Sequence, residues 1–415
     1  MAVTIVYEGI DGVDFSEDSG DEDIIAIEEK FSDAETEFKS ANDEIENKAS
    51  ALMVAVEALD DYNNKRIDFQ QFRYSVFAAE AAAYGDVAMA SPAIATEAAV
   101  FDRMAGAINE LALAIKVGFS KSLDYLQYSY SLFTLQRGKV NSLLSKLQRA
   151  SSETVNIKVG VNKYMRFGEN QNVVRDMKEY NSEYRKMAEA MTPFTHAIAD
   201  LTEEDLFSGL RVLKEGLIGD PEKAFIDKFH SIQGHLKSAM AGISGFKTTH
   251  NKKFVEYSSP VLLGLSGILV RMPEPSTYRN GQYEDYYGAH RYLYAYVDRR
   301  VKIKFSTMLD GSVELVANRR ELIKNLEESQ KLIEGALKLT AMGVRWSNDG
   351  AAIDSGYILG KRKQEEGFTN DIFETMMFYR RVCTLIYDSV SSAYNFSLGN
   401  IKQMNRIAER ALDKM

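Results

Sequence analysis

A single apolar stripe runs through residues 101–150, and no proline interrupts it. Its members recur at steps of three, four or seven residues, which is the spacing of one helix face and close to a coiled-coil seam. They are Ile108, Ala112, Ile115, Phe119, Leu126, Tyr130, Phe133, Val140, Leu144 and Leu147. About 50 helical residues span roughly 75 Å, so the stripe predicts an elongated molecule in which this helix packs against other helices of the chain. An intermolecular coiled coil is the alternative.

Three other segments, residues 24–63, 321–342 and 370–414, carry the same kind of periodicity and predict long amphipathic helices. In the first of them the apolar face lies opposite a face rich in carboxylates. The apolar members are Ile27, Phe31, Ala34, Phe38, Ala41 and Ile45. The chain has only six prolines, which also favours helix. Helix-start patterns at residues 202–205 and 220–222 predict further helices between these segments.

Two segments, residues 155–167 and 301–316, show the alternation of apolar and polar residues that is typical of β-strands. Asp310-Gly311 predicts a hairpin turn within the second segment. The two segments together indicate a minor sheet, which can join both. The predicted fold class is therefore mainly α: an elongated bundle of long helices with a small β element and an acidic N-terminal helical leader.

Acidic residues are concentrated in the first part of the chain. Residues 1–60 hold 18 Asp and Glu but three Lys and Arg, a net charge of −15. The remaining 355 residues hold 42 acidic and 47 basic residues, a net charge of +5. Such asymmetry favours a leader with its own role. An Ala-rich stretch at residues 74–97, which contains a glycine and a proline, predicts a hinge. We therefore predict an acidic, propeptide-like region at residues 1–97, unstructured at its start, and a helical body at 98–415.

No motif for catalysis, metal binding or nucleotide binding is found in the sequence. The five histidines do not form His-Glu-x-x-His, and neither a Gly-rich phosphate loop nor a Gly-x-Ser-x-Gly elbow occurs. Cys383 is the only cysteine and lies in the stripe of the closing helix, which favours a small core residue over a nucleophile. We therefore predict that the chain is not an enzyme, and we assign it no catalytic residue, metal or cofactor.

The first residues lack the basic and apolar regions of a secretory signal. The longest apolar stretch, residues 260–270, is too short to cross a bilayer. We therefore expect no membrane span. A lone cysteine fits a reducing cytosol or the interior of a particle.

Residues 278–296 contain seven tyrosines, with two arginines among them and a basic run just beyond. Aromatic rings that alternate with cations are typical of proteins that bind single-stranded nucleic acid. The alternative is a Tyr-rich helix whose rings pack and whose hydroxyls reach the surface. The candidate nucleic-acid contacts are Arg279, Arg291, Arg299, Arg300, Lys302 and Lys304.

The predicted acidic region, including its hinge, also contains small-x-Glu triplets. The triplets that we consider as processing sites end at Glu57, Glu80 and Glu97, and Ser151-Ser152-Glu153 is a weaker candidate between a helix and a strand. An acidic helical leader, an Ala-rich junction with such triplets and a long helical body resemble the internal head proteins, also called inner-body or ejection proteins, of large tailed bacteriophages.

That resemblance implies a structural protein of the virion interior that assembles in the host cytoplasm. A maturation protease of the family removes the leader by cutting after Glu in such triplets. The implied partners are capsid, scaffold and protease, and possible ejection with the genome implies nonspecific contact with packaged DNA.

Charge gives a separate argument for processing. Residues 1–97 hold 23 acidic and six basic residues, whereas residues 98–415 hold 37 and 44. A cut after Glu97 would therefore change a net charge of −10 into +7, and a cut after Glu57 would give +4. Positive charge favours contact with phosphate. The alternative function is a cytosolic helical adaptor or regulator whose acidic tail is autoinhibitory or mimics DNA.

Overall fold

The computed structural model describes most of the chain. The described residues are 21–84, 97–201, 245–273, 278–279, 282–283, 294–299, 311–351 and 370–415, with five single positions between 234 and 241. The described part is mostly helical and contains small antiparallel sheets, as the sequence predicts. The predicted start of the chain, the glycine and proline of the hinge, the helix starts at 202–205 and 220–222 and the strand at 301–305 lie outside the described residues.

Six long helices form the frame of the part of the chain that the structure describes. They are α1 (Asp21–Asn63), α2 (Phe69–Tyr84), α3 (Glu97–Arg149), α4 (Met177–Leu201), α5 (Arg319–Ala351) and α6 (Asn370–Leu412). The helices predicted at 24–63, 101–150, 321–342 and 370–414 are confirmed as α1, α3, α5 and α6. The 53 residues of α3 span about 80 Å. None of the described helices combines the length and apolarity required to cross a bilayer.

Local side-chain bonds fix where the shorter helices begin. At the start of α2, the Gln71 backbone N–H donates to the Asp68 carboxylate (2.8 Å), and the Asp68 N–H donates to the Gln71 side chain (3.1 Å). This reciprocal pair is a capping box. Asp176 caps α4 by accepting from the Glu179 N–H at 2.8 Å, and Asn318 caps α5 by accepting from the Arg320 N–H at 2.9 Å.

Ten short strands are found among the described residues. They are β1 (Thr154–Gly160), β2 (Arg166–Phe167), β3 (Asn172–Val173), β4 (Lys247–His250), β5 (Phe254–Ser258), β6 (Ser266–Pro273), β7 (Tyr278–Arg279), β8 (Gln282–Tyr283), β9 (Tyr294–Arg299) and β10 (Ser312–Asn318). β1 pairs antiparallel with β10, with Ile157 opposite Leu315. One sheet therefore does join the two predicted β segments. The antiparallel sheet β4-β5-β6-β9 was not predicted.

The Tyr-rich segment differs from the helix that we considered for it. Its described residues lie in β7, β8 and β9, so the helical interpretation is wrong there. Tyrosine and valine favour strands, and the pairing of β9 with β6 provides the partner that a local pattern cannot reveal. The predicted hinge also needs correction, because residues 74–84 belong to α2, where Val76 and Phe77 are buried.

The helices enclose two apolar clusters. The main core is formed by the first part of α1, α3 from Phe119 onward, α4, α5, α6 and the inner faces of the strands. The satellite core is formed by α1 from Ile45 onward, α2 and the first part of α3 up to Ala114. Ile115 packs against both clusters. The four helices α1, α3, α5 and α6 supply most of these buried residues, and part of each predicted stripe is among them.

The acidic segment is part of the main core, which differs from the separate leader that charge suggested. The Phe31 ring lies 4.8 Å from the ring of Tyr125 on α3 and 4.3 Å from that of Tyr394 on α6. The Phe38 ring stacks on Tyr387 at 3.8 Å. The acidic face of the helix, which includes Glu37, stays exposed as predicted. The amphipathic helix was therefore predicted correctly, but its apolar face packs into the same core as the closing helix.

Candidate functional site

The three predicted processing positions have different surroundings. Glu57 is exposed about two turns before the end of α1, and the two residues before it, Ala55 and Val56, are buried. Glu80 lies on α2, where its carboxylate forms a 2.6 Å salt bridge with Arg103. Glu97 is the first residue of α3. A protease binds its substrate as an extended segment, so Glu57 and Glu80 require local unfolding before cleavage. The weaker triplet ends at Glu153, which forms ion pairs with α5.

The predicted nucleic-acid contacts are not brought together by the described structure. Arg279 lies in β7 and Arg299 at the end of β9, and these strands belong to different sheets. The other four predicted contacts, Arg291, Arg300, Lys302 and Lys304, lie outside the described residues.

A different cluster of polar residues is found where β1, β2 and α6 meet. A short 3-10 turn, Lys163–Met165, joins the two strands, and its cap Asn162 accepts a 2.9 Å hydrogen bond from the Tyr164 N–H. The Asn162 amide also donates to Gln403 on α6 at 2.8 Å. The first bond closes the turn, and the second holds it against α6.

Two glycines make room for the Tyr164 ring. A Cβ at Gly399 on α6 would overlap this ring, so only glycine allows the close approach. On the other side, Gly264 has φ +96, a conformation that favours glycine, and its N–H donates to the Arg166 carbonyl at 2.9 Å. Tyr164 is thus held between the closing helix and the turn before β6.

A cavity of about 510 Å³ opens beside this ring and is rich in cations. It is lined by Val161, Asn162, Lys163, Tyr164, Arg166, Asn395, Leu398, Gly399, Lys402 and Arg406. Four of these side chains are basic, and no carboxylate is among the described residues that line it. We call it the cationic cavity. Its volume is in the usual range for small-molecule sites.

A second cavity of about 570 Å³ shares Lys163, Tyr164 and Asn395 with the cationic cavity. It has a mixed lining, because Glu35 and Lys39 from α1 and Asp388 from α6 contribute charges of both signs. The acidic helix therefore forms one wall of this second cavity.

The tyrosine of the second cavity stays protonated at neutral pH. Burial, reinforced by the nearby charge of Glu35, raises the pKa of Tyr387, and the Ser391 hydroxyl offsets only part of this effect. A neutral phenol can donate a hydrogen bond but is a poor nucleophile. Within the described part of the chain, no cluster of three or more His, Cys, Asp and Glu side chains is arranged to hold a metal ion. The chemistry that the two cavities support best is electrostatic binding.

Sequence reasoning missed the cationic cavity because its two halves are far apart in the chain. The local signals are Lys163 and Arg166, three residues apart, and Lys402 and Arg406, four residues apart on one helix face. Each pair alone is indistinguishable from an ordinary solvated surface.

Comparisons of the chain with known protein families, with curated protein sequences and with solved structures returned no match.

Proposed function

We propose that the chain is a structural protein of the interior of a large bacteriophage head, with an acidic leader on an elongated helical body. In this proposal it assembles with capsid and scaffold in the host cytoplasm, loses the leader to a maturation protease and then lies beside packed DNA. The observation that carries the proposal is the charge division at Glu97, where a segment of net charge −17 precedes one of +7. This change of sign suits a protein that first assembles and later meets phosphate.

The position of Glu97 supports an order of cleavage. It is the first residue of α3, whereas Glu57 and Glu80 lie inside helices and follow buried residues. We therefore place the first cut after Glu97, with cuts after Glu80 and Glu57 only once α1 and α2 have undocked.

A single cut does not release the leader. Ile27, Phe31 and Phe38 are buried in the main core. Burial of a large apolar side chain contributes about 1.5–3 kcal/mol, so these three hold α1 with roughly 5–9 kcal/mol. The satellite core adds to this. Digestion of the undocked helices is therefore part of the proposed mechanism.

Mass spectrometry of mature particles from the phage that encodes the chain tests this proposal. We expect peptides from residues 98–415 and a new terminus after Glu97, but few peptides from residues 21–60. Peptides from both regions in equal amounts would contradict processing. Absence of the chain from particles would overturn the proposed function.

A matched pair of substitutions tests the order of cleavage. Glu97→Gln should block the first cut and leave the full-length chain in particles. Glu57→Gln removes the same charge at an exposed position inside α1 and should leave the first cut unchanged. Equal effects of the two substitutions would contradict the proposed order.

A cytosolic adaptor or regulator is the second candidate, favoured by one observation. The acidic helix α1 covers the aromatic residues Tyr125, Tyr387 and Tyr394 on α3 and α6, as an autoinhibitory helix would cover a binding groove. Affinity capture from host cells with Phe31→Ala and with the wild-type chain distinguishes the two candidates. A discrete protein captured only by the variant, from cells without particles, would favour the adaptor.

A further inference from the structure

We propose that the cationic cavity binds phosphate groups of a nucleotide or of a nucleic-acid backbone. This inference does not rest on the proposed function, because it follows from the cavity alone and holds equally for an adaptor.

The first half of the cavity comes from one face of α6. Asn395, Gly399, Lys402 and Arg406 recur at steps of three and four residues, and all of them line the cavity. Lys402 and Arg406 are one turn apart, so their charges point to the same side. Lys402 is half-buried and Arg406 is exposed, so that one cation lies deeper in the cavity than the other.

The second half comes from the turn between β1 and β2. Lys163 and Arg166 border the turn that Asn162 caps. The Arg166 guanidinium donates to the Gln171 carbonyl at 3.2 Å, which restricts its direction. An oriented guanidinium suits phosphate, whose oxygens accept bidentate hydrogen bonds.

The remaining wall provides the other contacts that a nucleotide requires. The Tyr164 ring is held in place by Gly399 and Gly264, and it lies between the cationic cavity and the second cavity. The Lys163 ammonium lies over this ring, 4.7 Å from its centroid, so that a cation–π contact helps to position one of the four cations. The amides of Asn162 and Asn395 can donate or accept hydrogen bonds. Because the described lining has four cations and no carboxylate, its net charge favours an anion.

The test measures binding of the full chain to two phosphate-bearing probes. The probes are ATP, followed by calorimetry, and a fluorescent single-stranded DNA of about 20 nucleotides, followed by anisotropy. The test variant is Lys402→Gln with Arg406→Gln. The matched control, Lys146→Gln with Arg149→Gln, removes the same two charges from exposed positions at the end of α3.

We expect the test variant to weaken binding at least tenfold and the control to change it less than twofold. For DNA, the slope of log affinity against log salt should fall by about 1.5 in the test variant, since two phosphate contacts are lost. Binding of ATP identifies a free nucleotide as a ligand, and binding of DNA alone identifies the backbone.

Unchanged affinity of the test variant would overturn the proposal, as would an equal loss in the control or no binding of either probe. Circular dichroism of both variants checks folding. If the double variant is unfolded, Arg406→Gln alone provides the test, with an expected loss of about threefold, because this side chain is exposed.

Discussion

The main core and the satellite core share α1 and α3, but they differ in whether polar side chains are buried among the apolar ones. All buried polar side chains of the described residues lie between Ser122 and Asn405, which places them in or beside the main core. The satellite core, by contrast, consists of alanine, leucine, valine, methionine, isoleucine and phenylalanine. The same two helices therefore pass from an apolar environment into one that contains polar contacts.

The polar contacts of the main core join neighbouring helices. Asn325 on α5 donates to Asn181 on α4 at 2.6 Å, and the Tyr184 hydroxyl lies 2.7 Å from that of Ser329. Asn405 on α6 donates to Gln136 on α3 at 3.2 Å. Burial raises the pKa of Tyr184, so its hydroxyl is neutral at physiological pH.

The difference between the two cores indicates that apolar burial and polar pairs have different roles: the first holds helices together, and the second fixes how they are aligned. Apolar burial is not directional, so a stripe can slide along its neighbour at modest cost. A hydrogen bond between two buried amides forms in one register only, because a shift along the helix separates the donor from the acceptor and leaves both buried. We infer that polar pairs fix the register of α4 against α5 and of α3 against α6. The satellite core, by contrast, holds α2 mainly by apolar contact. The following four predictions test this comparison.

The largest effect is expected for Phe31→Ala, which removes the ring between Tyr125 and Tyr394. Loss of a buried phenylalanine costs about 4 kcal/mol of unfolding free energy. Urea denaturation followed by circular dichroism measures this loss. Val54→Ala, at a side chain that is 51% exposed, is the control and should change stability by less than about 0.5 kcal/mol. Similar values for both would show that α1 is not held by the main core.

Phe72→Ala should have a smaller and more local effect. Its ring stacks on Tyr62 at 5.1 Å inside the satellite core. We expect a loss of about 3 kcal/mol, because this thinner cluster can relax around the cavity. Hydrogen exchange should show faster exchange in residues 45–84 and unchanged protection in residues 125–147. Loss of protection in both regions would mean that the two cores unfold as one unit.

Asn325→Ala leaves the side-chain amide oxygen of Asn181 without its donor and should lower the free energy of unfolding by about 2 kcal/mol. Replacing both residues by Leu removes both polar groups and should cost less than the sum of the two single Leu substitutions. A double-mutant cycle in urea measures the coupling. Additive losses would show that the pair does not act as one contact.

The smallest effect is expected for the pH dependence of stability that the ion pair between Arg185 and Glu321 contributes. Burial opposes ionisation of Glu321, but hydrogen bonds and charges from Arg185 and Lys324 prevail and lower the pKa of its carboxyl. A lowered pKa contributes stability above the unfolded value, and this contribution is lost as pH falls through the folded value. Because the pair is about one third exposed, we expect about 0.5 kcal/mol.

Urea denaturation at pH 7 and pH 3 tests this expectation. Between the two pH values, the wild-type chain should lose about 0.5 kcal/mol more than Arg185→Met does. Arg137→Met, at an exposed arginine on α3, should keep the wild-type dependence. Identical pH dependence of all three proteins would show that the pair contributes nothing measurable.

The sequence predicts those elements whose pattern lies within a few consecutive residues, and it misses those that depend on pairing between distant segments. The stripe from Phe119 to Leu147 predicts the buried face of α3 because helical periodicity is local. The alternation at Ile157 and Val159 predicts β1 for the same reason. The sheet β4-β5-β6-β9 was missed because its stability comes from pairing between segments that periodicity does not connect.

The candidate site was the least predictable part. The Arg and Lys residues chosen beside the Tyr-rich segment were selected by local composition, whereas the cationic cavity combines Lys163 with Arg406 across more than half of the chain. The need for glycine at position 399 is equally invisible in sequence, since it depends on a ring from another element.

The sequence alone determined that α1, α3, α5 and α6 each carry an apolar face and that the acidic side chains of α1 face outward, because both depend on spacing within a few turns. Only the tertiary structure decided what covers each apolar face. Charge suggested that the N-terminal helix stands apart, but Phe31 and Phe38 place it against α3 and α6. The physical reason is that exposed carboxylates remain solvated and repel weakly through water, whereas buried aromatic rings leave water only by joining a core that distant residues build.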